Sequence, residues 1–147
     1  RYGDAEPLYR RSLAIWTKVL GPEHPMLATS FDNLAVVCAS QQKLREAEAL
    51  YRKALEIRDT EDAGSLRNLA LVEVAQEQWK AAEPLLKRAL LILDTLEPAD
   101  PPALIATLND YAEVLEKTGR NVRAGPIRKR AKALEASQKK ASKGKTK

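Results

Sequence analysis

Enzyme chemistry needs a nucleophile beside a base, a cluster of metal ligands, or a loop that cradles charge, and this chain of 147 residues offers little of each. Its single histidine, His24, lies in the run Gly21-Pro22-Glu23-His24-Pro25. Two flanking prolines make loop shaping the expected role there, and one histidine does not build a His-rich metal site. Cys38 is the only cysteine, so no internal disulfide can form. It falls on an apolar periodic stripe and reads as a small core residue. No serine has a neighbouring histidine to act as base, and the six glycines are scattered rather than gathered into a phosphate loop. Glu46 and Glu48 stand two apart, which puts them on different faces of a helix. Neither catalysis nor a cofactor is expected. What remains is recognition chemistry. Asn33, Asn68 and Asp110 recur at offsets of 35 and 42 residues. An amide both donates and accepts, so a row of asparagines can bond the backbone of an extended peptide without reading its sequence.

Those offsets belong to a repeat. The run Ala5-Glu6-Pro7-Leu8-Tyr9-Arg10-Arg11-Ser12-Leu13 returns as Ala47-Glu48-Ala49-Leu50-Tyr51-Arg52-Lys53-Ala54-Leu55, then as Ala82-Glu83-Pro84-Leu85-Leu86-Lys87-Arg88-Ala89-Leu90. A degraded copy begins at Ala124-Gly125-Pro126. A second run alternates with it: Ser30-Phe31-Asp32-Asn33-Leu34-Ala35, Ser65-Leu66-Arg67-Asn68-Leu69-Ala70 and Thr107-Leu108-Asn109-Asp110-Tyr111-Ala112. One loop is seven residues shorter than its neighbours, a change that loops tolerate. Apolar residues such as Phe31, Leu34, Ala35 and Cys38 fall at helical spacing. Alanine recurs where two helices must approach closely, and a larger residue at Ala35, Ala70 or Ala112 should overpack the contact. Prolines and Gly119 mark boundaries, and the segments 21–25 and 97–102 read as turns. The spacing predicts seven helices, at about 4–20, 25–41, 44–58, 63–77, 79–96, 102–118 and 121–137, and no sheet.

At these residues the chain resembles the tetratricopeptide repeat family. The resemblance rests on Phe31, Leu34, Ala35, Cys38, Ala47, Tyr51 and Ala54, with equivalents through Leu66, Leu69, Ala70, Ala82, Leu86 and Ala89 and through Leu108, Tyr111, Ala112, Leu115, Ala124 and Ala131. The longer spacing and the Leu20-Gly21-Pro22-Glu23-His24-Pro25 loop are closest to its kinesin-light-chain-like subtype. The resemblance implies an all-α, right-handed α-α superhelix over residues 1–136, with an orphan helix at 4–20 and helix pairs at about 25–58, 63–96 and 102–137. It also implies that the first helix of each pair lines a concave groove. Thr29, Asp32, Asn33, Val36, Arg67, Asn68, Leu71, Thr107, Asn109, Asp110 and Glu113 are then the expected groove residues, and in that subtype asparagines at this position contact bound peptides. The alternative is that Asn33 and Asn68 satisfy nearby helix ends or side chains. Glu73 stands where a large apolar residue is usual, so a looser contact is expected there. Arg128 and Asn121 replace apolar residues in the last helix, as suits a solenoid cap. The first helix lacks its partner, which suggests further repeats or another domain upstream. Its open apolar face makes self-association a second expectation.

Charge is unevenly placed. Residues 121–147 hold ten Lys or Arg and one acid, whereas 1–120 hold 15 basic and 19 acidic residues. Segment 137–147 has no apolar stripe and is expected to be disordered. A hold on nucleic acid is one reading of this basic tail, and a solvated tail that aids solubility is the favoured one, since no aromatic interleaves the lysines. No stretch is long and apolar enough to span a membrane. The expected function is a scaffold that holds a protein or peptide partner. The alternatives are the nucleic-acid reading and a regulatory arm of an enzyme whose catalytic domain lies elsewhere.

Overall fold

A computed structural model describes residues 2–58, 62–96 and 100–144, with the side chains of 2–4, 143 and 144 left out of the description. Among the described residues there are seven helices and no strand. They are α1 (Tyr2–Leu20), α2 (Met26–Ser40), α3 (Leu44–Ile57), α4 (Ala63–Ala75), α5 (Trp79–Thr95), α6 (Pro101–Lys117) and α7 (Asn121–Gly144). We call α2, α4 and α6 the A helices, and α1, α3, α5 and α7 the B helices.

The A helices start and stop for local reasons. Asp62 caps α4 by accepting from the Ser65 amide at 2.8 Å, and Asp100 caps α6 by accepting from the Ala103 amide at 3.1 Å. His24 does the same work ahead of α2, where its Nδ1 accepts from the Met26 amide at 3.2 Å. The A helices end identically. The amides of Lys43, Gln78 and Arg120 donate back to the carbonyls of Cys38, Glu73 and Leu115 at 2.8–2.9 Å. That closure requires a left-handed residue in the turn, and Gln42, Glu77 and Gly119 supply it at φ 62°, 61° and 78°. Only the third is the residue type that adopts this conformation freely.

Packing follows the register. Ala35, Ala70, Ala112, Ala47, Ala82 and Ala89 are fully buried, each where an A helix crosses a B helix. Around them sit Leu34, Leu69, Leu66, Leu86, Leu108 and Leu115, also buried. Each A helix packs on the B helices before and after it, and α4 also touches both α2 and α6. The backbones of the B helices stay farther apart, and side-chain ion pairs such as Arg10–Glu46 and Arg130–Asp94 span the gap between them. Rows that meet on one side and part on the other describe a curved stack, with the A helices on its inner face.

A recurring polar tie joins successive repeats. The glutamate at the second position of the Ala-Glu run reaches the A–B turn of the next repeat. Glu6 accepts from Gln41 Nε2 at 2.9 Å and Lys43 Nζ at 2.7 Å. Glu48 accepts from Gln76 Nε2 at 2.8 Å. Glu83 accepts from Arg120 Nη1 at 2.7 Å. Lys43, then Arg10, then Gln41 hold the Glu6 carboxyl down to about 2.

The expected disorder of 137–147 is corrected in part: α7 continues to Gly144. Absence of an apolar stripe means that nothing packs on this stretch. It does not stop a started helix from extending through Ser137, Gln138, Lys139, Lys140 and Ala141, which include good helix formers and no proline. Residues 145–147, and residues 97–99 of the expected turn, lie outside the described residues.

Candidate functional site: the inner face of the A helices

Superposing the offsets on the three A helices sorts their outward residues into rows. One row holds Asn33, Asn68 and Asp110, and the next holds Val36, Leu71 and Glu113. Thr29, Asn33, Val36 and Glu113 are exposed, while Asn68, Leu71 and Asp110 are half-buried. Ser40, Ala75 and Lys117 continue the pattern one turn on, and all three are exposed. Sequence reasoning places Lys117 among the groove charges but misses Ser40 and Ala75, although the same offsets point to them.

The expected groove residues divide on inspection of their partners. Thr107 is a correction. It is 1% exposed, and its hydroxyl donates to the Ala103 carbonyl at 2.8 Å. Its equivalents are Ser30 and Ser65, not Thr29, and Ala106 is the true equivalent of Thr29. A slip of one residue on a helix turns a side chain by about 100°, enough to move it from the groove into the core. Asn109 is turned toward α7. Its Oδ1 accepts from Arg128 Nη1 at 3.3 Å, and its Nδ2 donates to Glu135 at 3.4 Å. Asp32 is likewise a brace. It accepts from Ser65 Oγ at 2.8 Å and pairs with Arg58, tying α2 to α4. Burial pushes its carboxyl above the ordinary range, and its second oxygen has no partner among the described residues.

Two further residues bridge helices while staying at the face. Arg67 Nε donates to Asp110 Oδ2 at 2.6 Å, linking α4 to α6. Asn68 hydrogen-bonds the Tyr51 hydroxyl of α3, and burial lifts that phenol to about 12. The alternative weighed for Asn68, that it satisfies a neighbouring side chain, is therefore met for part of its hydrogen-bonding capacity. Asn33 stays exposed with no hydrogen bond among the described residues. The face that results has an apolar centre at Val36 and Leu71, amides on one side at Asn33 and Asn68, and acids toward α6 at Asp110 and Glu113.

The residues with reactive potential are otherwise engaged. Cys38 is fully buried, and that burial raises its thiol. Donor atoms of Glu6, Cys38 and Glu46 lie within 4.8 Å of one another. The guanidinium of Arg10 already bridges the two carboxylates, so the cationic position in that trio is filled by the chain itself. Trp79 packs against the core with Lys117 5.7 Å over its ring, whereas Trp16 is exposed on α1. On the outer face, a cleft of 300 Å³ between α3 and α5 is lined by Arg52, Leu55, Leu66, Leu69, Leu85 and Arg88, and it shares no residue with the inner rows.

Repeat register and family now meet. Models of the tetratricopeptide repeat match residues 1–60 and 63–100. The chain is a tetratricopeptide repeat protein. It superposes on BtubC (BKLC) from P. vanneervenii with a TM-score of 0.86 and 26% identity, over 95% of this chain and 58% of that one. It thus spans less than two thirds of that relative's length. Kinesin light chain repeats from Podosopora anserina match at 0.74 and 24% identity, over 95% of this chain and 69% of that one. The N-terminal domain of stress-induced protein-1 from C. elegans matches at 0.61 and 17%, over 76% of this chain and 96% of that one. The last two, at such low identity, speak to the fold alone. No curated protein matches the chain. Tetratricopeptide arrays generally serve protein–protein interaction, and this chain carries the architecture for it.

Proposed function

We propose that the inner face holds an extended segment of a partner protein, with an apolar side chain over Val36 and Leu71 and a basic residue toward Glu113. The observation that carries this reading is the alignment of outward, non-core positions on three successive A helices. Asn33, with the remaining capacity of Asn68, bonds the segment's backbone. Asp110 is partly neutralised by Arg67, which leaves Glu113 as the acid open to a ligand cation. The test is a peptide array probed with the chain and with two double variants. Val36→Glu with Leu71→Glu should weaken capture at least tenfold, since it sets charge against an apolar seat. Asn33→Ala with Asn68→Ala should do the same, with helix content unchanged by circular dichroism. Capture that survives both pairs would remove this face from consideration.

A second surface concerns assembly. α1 is the equivalent of α3, but among the described residues it packs on α2 alone, with no A helix ahead of it. Tyr9 is 38% exposed where Tyr51 is 2%, and Ile15 is 51% exposed where Ile57 is 6%. Leu8, Trp16 and Val19 extend this open stripe. In a solution of this chain alone, only another copy can cover it, so we propose that the chain self-associates through α1. Analytical ultracentrifugation should find a mass that rises with concentration. Ile15→Lys with Val19→Lys should hold it at the monomer. A native chain that is monomeric up to millimolar concentration would refute the proposal.

A further inference from the structure

The cations of this protein fall into two populations. Within the stack, Arg10, Lys43, Arg52, Lys53, Arg58, Arg67 and Arg120 stand in ion pairs, and the remaining cations are scattered over several helices. On α7, Arg128 pairs with Glu116 and Arg130 with Asp94, while Arg123 is exposed and pairs with no carboxylate among the described residues. The lysines of α7 whose side chains are described do not stand in ion pairs either. Lys129, Lys132, Lys139 and Lys140 are exposed, and none meets a carboxylate among the described residues. The nearest acid along the helix, Glu135, is turned inward to Asn109.

Their spacing is what makes them a feature. Positions 129, 132, 139 and 140 fall on one helical stripe, with Ala136 in the gap. Ala124, Ile127, Ala131 and Leu134 form the buried or half-buried stripe, roughly on the opposite side. The packed part of α7 therefore aims the lysine file straight into solvent. At 1.5 Å per residue, the file is about 16 Å long. The reach exists only because α7 continues past residue 137.

We propose that this stripe binds the phosphate backbone of double-stranded nucleic acid, without reading its sequence. Duplex DNA carries a charge about every 1.7 Å of axis, dense enough to engage every lysine of a line at once and to release bound counterions. A membrane is less well matched, because the stripe carries no Leu, Phe or Trp to enter the acyl region. Single strands usually need an aromatic platform, and α7 has no aromatic residue. The site is separate from the inner face of the A helices, so either can fail without the other.

The test measures binding of the full chain to a fluorescent 20-base-pair duplex at several salt concentrations. Four phosphate contacts should give a log–log slope near −3.6, or about 150-fold weaker binding at 200 mM than at 50 mM salt. The variant Lys129→Gln, Lys132→Gln, Lys139→Gln, Lys140→Gln should lose most of that slope. A control that removes equal charge elsewhere (Lys18→Gln, Arg45→Gln, Lys80→Gln, Lys87→Gln) should keep most of it. Equal loss in both variants would show that net charge acts, not the stripe, and would overturn the proposal. So would absence of duplex binding at 50 mM salt, or equal or tighter binding to phosphatidylserine vesicles or to polyglutamate.

Discussion

Glu73→Leu should raise the stability of the array by about 1–4 kcal/mol at pH 7. Glu73 is 1% exposed, and one of its oxygens accepts from Arg52 at 2.6 Å. The other oxygen is buried with no partner among the described residues. Burial holds its carboxyl above the ordinary range, so the ionised form is disfavoured in the folded state. Its equivalents are Cys38 and Leu115, both buried. Leucine therefore fits this register of the fold. Arg52 is not orphaned by the change, because Glu48 lies 3.1 Å from its Nε and half of its side chain meets solvent. The pH dependence gives a second readout. Below the ordinary glutamate pKa of about 4.3, Glu73 carries its proton folded and unfolded, and the penalty is absent. As pH rises from there through the raised folded value, the native protein loses stability relative to the variant. The advantage of Glu73→Leu should thus be largest at pH 7 and shrink at pH 4. Urea unfolding at the two pH values measures it. A gain that is absent, or the same at both, would contradict this account.

Ala70→Leu should cost about 1–3 kcal/mol. Ala70 is fully buried in the core cluster that includes Leu66, Ala82 and Leu86. The contact is set by the smallness of the residue, as at Ala35 and Ala112, so three added carbons must push neighbouring helices apart or leave their rotamers. Ala75→Leu, one turn further along and exposed, should change stability by less than about 0.5 kcal/mol. Urea midpoints of the two variants separate a packing effect from a general effect of leucine on helix content. Equal midpoints would remove alanine as the element that sets helix spacing.

The architecture was legible because it is periodic. Offsets of 35 and 42 residues located the seven helices, with most ends within two residues of those observed. The site was legible only in part. Exposure of Asn33 and Val36 follows from register alone, and a stricter register would have replaced Thr107 by Ala106. The braces do not follow from it. Whether Asp32 meets Ser65, or Arg67 meets Asp110, depends on how closely two A helices approach, 33 and 43 residues apart along the chain. The same position changes chemistry between repeats: Asp32 pairs with Arg58, while its equivalent Asn109 donates to Glu135. Glu73 looked like a loosened contact because the charge was visible in sequence and Arg52 was not. The tail was misjudged because composition reports whether a segment can pack, not whether a helix already under way will stop.

The tie from Glu6, Glu48 and Glu83 to the following turn has a consequence for how such a chain can be cut and rejoined. The acceptor is constant, but its donors differ: Gln41 with Lys43 at the first joint, Gln76 at the second, Arg120 at the third. A repeat transplanted with loop-to-loop boundaries carries its own glutamate forward and leaves its donor facing a foreign one. Recombinants should therefore be joined so that each glutamate travels with the turn it was matched to. In that grammar the smallest transferable word is a B helix with the A helix and turn that follow it, not the hairpin that the eye picks out.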